Sequence, residues 1–162
     1  MTSELFPNIS LSARLFVYTS NNFLTPTKLE EFSSSLQAFL ESWKAHGAML
    51  DASFKLIANR VLLIVVDEKA QTATGCSIDS LNRHLQSSGI DWFSRNWVLH
   101  TSSIPTLNGS WDVSDLHDFH EKCRNGTISL DEYTINTNVL TVQEMREKLV
   151  QKVSESWHNQ ML

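Results

Sequence analysis

Six consecutive apolar residues, Val61 to Val66 (VLLIVV), constrain the fold of this chain more than any other stretch. Their β-branched content marks a strand, and the run falls far below the roughly 20 residues a membrane-spanning helix requires. Successive side chains of a strand point to opposite faces, so a strand that is apolar throughout must be covered on both. Asp67-Glu68 ends the run and Ala58-Asn59-Arg60 precedes it. Asn tolerates the positive φ of a tight turn, so Ser53 to Ile57 (SFKLI) and Val61 to Asp67 are expected to form an antiparallel hairpin.

Periodicity supplies the neighbours of this hairpin. Arg14 to Thr19 (RLFVYT) reads as a strand. Leu29, Phe32, Leu36, Phe39, Leu40 and Trp43 fall within an arc of about 100° on a helical wheel. Thr27 with Glu30 makes a capping box at the start of that helix, and Gly47 suits its end. A shorter helix carries Ile78, Leu81 and Leu85, with Ser77 as N-cap and Gly89 as terminator. Trp97 to Thr101 (WVLHT) is a further strand. The order over residues 14–101 is strand, helix, strand, strand, helix, strand. It predicts an α+β fold with a ferredoxin-like (split βαβ) antiparallel sheet, with a thioredoxin-like α/β arrangement as the alternative.

A split βαβ sheet carries both helices on one face, so Val61 to Val66 needs a second cover. Residues 105–162, read as a mainly helical extension, can provide it, or a second copy of the chain can, as a homodimer. In that extension Leu116, Phe119 and Cys123 mark a helix ended by Gly126. Thr127 to Leu140 is irregular or holds a short strand. Thr141 with Glu144 caps a last helix with the apolar stripe Val142, Met145, Leu149, Val153 and Trp157. No linker divides the 162 residues, which are expected to form one domain.

Charge and composition exclude several function classes. The formal net charge is −5 and Lys and Arg are scattered, so neither nucleic acid nor an anionic membrane is an expected partner. Cys76 and Cys123 are the only cysteines. Without a secretory signal at the N-terminus they read as reduced thiols in the cytoplasm. The five glycines at 47, 75, 89, 109 and 126 permit neither a Walker-type loop nor a Gly-x-Gly-x-x-Gly fingerprint, which excludes P-loop nucleotide hydrolysis.

Four residues emerge as candidate site residues. Cys76 lies at a helix start, where backbone N–H groups favour a thiolate, although Asp79 in the same turn opposes one. Trp92, Arg95 and Trp111 lie near predicted loops, where aromatic side chains and a cation can line a binding surface. His117, His120 and Cys123 invite a zinc reading, but the helical wheel puts His117 about 120° from Cys123, so no metal is expected. Asp67 and Glu68 point to opposite faces and read as solvated carboxylates. No cofactor is expected.

The chain resembles a family of short uncharacterised bacterial proteins often labelled "ABC transporter ATPase". The resemblance rests on Trp43-Lys44-Ala45-His46-Gly47, Ser53-Phe54, Asn59-Arg60, Val66-Asp67-Glu68 and Thr74-Gly75-Cys76-Ser77-Ile78-Asp79. It covers the middle third of the chain closely and the C-terminal helices loosely. The label implies an ATPase, for which the glycine positions leave no P-loop. The residues themselves predict a non-enzymatic module that binds a partner protein or a small ligand, with a thiol-dependent enzyme or redox sensor built on Cys76 as the alternative.

Overall fold

In the computed structural model, which describes residues 1–162, no residue from Val61 to Val66 is more than 1% exposed. They belong to β5 (Val61–Asp67), the centre of a three-stranded sheet between β1 (Arg14–Thr19) and β4 (Asp51–Ile57). Both neighbours pair with β5 antiparallel, so β1 and β4 run parallel across it. Leu62, Ile64 and Val66 pack with Phe32, Leu36 and Leu40 of α1 (Pro26–Glu41) and with Leu81 and Leu85 of α2 (Gly75–Ser87). Val61, Leu63 and Val65 enter a second core on the opposite face.

Local chemistry sets the boundaries of these elements. Thr25 rather than Thr27 caps α1: its side chain accepts from the Lys28 N–H, and Pro26 takes the first helical turn, where its missing N–H costs nothing. Thr74 rather than Ser77 caps α2, and Ser77 closes a reciprocal capping box. The first helix stops at Glu41, short of Gly47. Gly47 (φ 76°) instead turns, with His46 (φ 51°), a small hairpin between β2 (Lys44–Ala45) and β3 (Ala48–Met49). The turn into β5 uses positive φ at both Ala58 (53°) and Asn59 (52°).

Trp97 to Thr101 is a strand, as expected, but it does not join the first sheet as its fourth member. This β6 (Trp97–Thr101) pairs antiparallel with β7 (Asp112–Asp115) and β8 (Tyr133–Ile135), and β8 pairs with β9 (Val150–Lys152). The second sheet has the order β7-β6-β8-β9. The reason lies in β6 itself, where Val98, Leu99, His100 and Thr101 are all buried. Such a strand needs a layer on each side, and an edge position beside β1 offers less. Leu99 faces the core shared with Val61, Leu63 and Val65, while Val98 faces Phe119 and Cys123 of α3 (Leu116–Arg124).

The C-terminal part is therefore mixed, not mainly helical. Its last helix, α4 (Val142–Lys148), ends well before Trp157. Val142, Met145 and Leu149 are a true buried stripe, but Val150 opens a strand and Val153 a short 3-10 turn. The second cover of β5 comes from this chain: Leu99, Ile135, Val142, Met145 and Leu149 share its core with Leu5 and Phe6 near the N-terminus. The sheet face that would have called for a second copy is filled. The layers run α1 and α2, first sheet, second sheet with α4, then α3. No helix is long and apolar enough to cross a membrane.

Candidate functional site

Of the four candidate residues, Trp92 and Trp111 are core residues. Trp92 is 1% exposed and packs against Phe32 at 4.8 Å between ring centroids. Trp111 is buried in the core between the sheets, and its Nε1–H donates to the Thr106 carbonyl at 2.9 Å. Cys76 is exposed in the first turn of α2, and its thiol makes no hydrogen bond. His84 stacks on Phe39 at 4.5 Å and His100 sits in the second sheet, and neither bonds the Cys76 thiol. Glu68 accepts from the Ala73 N–H at 2.8 Å and Asp67 from Lys69 N–H at 3.2 Å, so both carboxylates brace a loop.

Arg95 alone of the four lines a cleft. The segment between Trp92, anchored in the helix-side core, and β6 holds it at the junction of two depressions. One, of about 140 Å³, is walled by Trp97, Leu116, Ile135, Asn138, Trp157 and His158 as well as Arg95. The other, of about 350 Å³, runs along β1 from Leu15 to Tyr18, with Thr137 to Leu140 opposite. The guanidinium donates to the carbonyls of Val17 and Thr137. It has no carboxylate partner, since the ion pairs of the molecule involve only His100, Lys122 and Lys152. A guanidinium has five N–H donors in a fixed fork, so an oriented donor set remains for an incoming anion.

Beside this cleft lies a histidine pair that the pattern of residues did not reveal. His120 of α3 and His158 of the C-terminal 3-10 turn approach Nε2 to Nδ1 at 2.9 Å, both buried. Burial, aided by the neighbouring His120, holds the His158 imidazole down to about 4. His120 is also lowered, by burial first and then by Arg124 and His117. Cys123 is buried and its thiol is pushed up, by burial first and by Glu132 next. His120 turns inward, and no group of three His, Cys, Asp or Glu side chains is placed to hold a metal ion.

The second sheet carries another unforeseen constellation. His100 on β6 is 7% exposed. Its Nδ1 lies 3.0 Å from Glu132 Oε1 and its Nε2 lies 2.8 Å from Ser114 Oγ. The register explains the meeting. Val98 opposes Ser114 and His100 opposes Asp112, so Ser114 is the diagonal neighbour of His100 on one face. On the other side His100 opposes Thr134, which makes Glu132 diagonal too. The one signal in the sequence was His100 itself, a polar residue in phase with Val98 on a buried strand face, which must find partners.

Comparison with protein-family models, with curated proteins and with solved structures finds no match to this chain, so its function rests on the geometry of these sites.

Proposed function

We propose that the protein is a ligand-binding module whose Arg95 cleft takes a small anionic molecule with an apolar portion. The observation that carries this reading is the Arg95 guanidinium, oriented by two backbone carbonyls and lacking a carboxylate partner in a chain of net charge −5. Trp97, Trp157, Leu116 and Ile135 offer the apolar wall, and Asn138 adds a polar group. A space of about 140 Å³, against about 30 Å³ per water in the liquid, suits a small carboxylate and not a nucleotide. The reading takes the first sheet as the ferredoxin-like half of the fold. It places the protein in the cytoplasm, with which two free thiols are in keeping.

Titration with benzoate and, separately, with inorganic phosphate tests the proposal, because Trp97 and Trp157 line the cleft and report occupancy by fluorescence. A saturable change is expected for at least one anion. Arg95→Lys keeps the charge but loses the planar fork, and should weaken that binding about tenfold. If neither anion gives a saturable change, or if Arg95→Lys binds as tightly as the parent chain, the proposal fails.

A further inference from the structure

We infer that Ser114, His100 and Glu132 form a nucleophilic triad that accepts an acyl group from activated esters at Ser114 Oγ. The geometry is independent of the Arg95 cleft. A carboxylate at His100 Nδ1 fixes the proton there, which leaves Nε2 as the acceptor facing the Ser114 hydroxyl. That tautomer is the one a general base requires. The His100 and Glu132 side chains are 8% and 14% exposed, and Phe119 lies over His100 at 5.2 Å between ring centroids. The base and its carboxylate are therefore shielded from water, which strengthens their interaction. Ser114 differs from them: it lies on the outermost strand of the sheet and is half-buried, so a small electrophile can reach Oγ.

The chemistry balances without any further reactant than water. Ser114 Oγ bonds to the ester carbonyl carbon while its proton passes to His100 Nε2. The bond from that carbon to the leaving oxygen then breaks, and His100 returns the proton to the departing alcohol. Water repeats the sequence on the acyl-serine and releases the acid. Glu132 touches neither substrate nor hydroxyl, and acts as a positioning residue.

The surroundings also limit the substrate class. Of the amides that follow Ser114, those of Leu116, His117 and Asp118 are spoken for, since Leu116 N–H donates to the Asn96 carbonyl and Asp115 Oδ1 accepts from His117 N–H and Asp118 N–H. Each missing oxyanion donor costs about 10²–10³ in rate. Esters with a stable leaving group are the class this leaves, and ordinary amides fall outside it.

The test uses the full chain with exposed Cys76 replaced, Cys76→Ala, so that its thiol cannot react. A fluorophosphonate probe and p-nitrophenyl acetate are applied, and the adduct is located by peptide mass mapping. The expected result is one adduct, on Ser114, that is lost in Ser114→Ala. His100→Gln should lower the labelling rate at least tenfold. Glu132→Gln should lower the maximal rate while leaving the half-saturating probe concentration unchanged, which a general distortion would not do. The same mixture in denaturant, where the triad is dispersed, should leave Ser114 no more reactive than the other serines, and this holds even if a His100 variant fails to fold. An adduct at another residue, no adduct, or selective labelling of Ser114 that survives denaturation overturns the inference.

Discussion

Acidification should destabilise this fold through the His120–His158 pair, and the size of the effect can be worked from the structure. His158 is 4% exposed and held down to about 4 by burial and by His120, whereas an unfolded histidine titrates near 6.5. Above about pH 6.5 neither state binds the proton, and the pair's full contribution is present. Below it the unfolded chain takes up a proton that the folded chain refuses, so stability falls as pH drops toward about 4. Each pH unit in that window is worth about 1.4 kcal/mol, which amounts to about 2 kcal/mol for His158 alone at about pH 5. Neighbouring Trp157 is 38% exposed, and the solvent it admits reduces this to about 1.5 kcal/mol. His120 and His84 are lowered as well and add to the loss with the same sign. For a chain of this size that is a drop of roughly 3–6 °C in the thermal midpoint. Thermal or urea unfolding at about pH 7.5 and about pH 5 measures it, with His158→Gln as the control that flattens the dependence. An equal slope in His158→Gln, or no slope in the parent chain, refutes the reasoning.

Three other outcomes are expected. Leu62→Ala and Leu63→Ala empty cores on opposite faces of β5, and each should cost about 2–5 kcal/mol in urea unfolding; a mild effect at Leu63 would mean that the second face is poorly covered. Ala58→Gly should change stability by less than about 1 kcal/mol, because relief of the side chain at φ 53°, worth roughly 1–2 kcal/mol, is offset by glycine's entropy and by the loss of a buried methyl worth about 0.8 kcal/mol; urea unfolding checks it. In native protein a disulfide reagent should modify Cys76 promptly and reach Cys123 only after unfolding, since the first thiol is exposed and the second buried; mass mapping of the modified peptides checks the order.

What the sequence disclosed was whatever repeats along one element. The VLLIVV run, the stripe of α1 and the short stripe of α2 each declare a buried face by their own spacing, and the three-stranded antiparallel sheet under two helices follows. Pairing between distant strands declares nothing of the kind. β7 is DVSD, with one apolar residue that is itself exposed, so only its ladder with β6 makes it a strand. β9 was hidden because Val153 and Trp157 continue, by spacing, the stripe that Val142, Met145 and Leu149 begin, which carries a helix across residues 150–152. The site divides in the same way. Arg95 stands beside aromatic residues in a loop and could be singled out. Ser114, His100 and Glu132 are separated by 14 and 32 positions and meet only through strand register. Trp92 and Trp111 lie in the core, because loop-borne tryptophans can turn inward as readily as outward.

β1 forms one margin of the first sheet. RLFVYT is an apolar strand whose far side lacks a full partner strand, the kind of margin that invites pairing with another chain. Here it is sealed piecemeal. Leu15 N–H donates to the Leu140 carbonyl, Thr19 N–H to the Trp92 carbonyl, and the carbonyl of Val17 between them receives Arg95. The residue proposed to greet an anion is thus also the middle stopper of an otherwise adhesive border. Changes at Arg95 should be judged by self-association at high concentration as well as by ligand affinity, and any ligand that draws the guanidinium outward would loosen the seal at its centre.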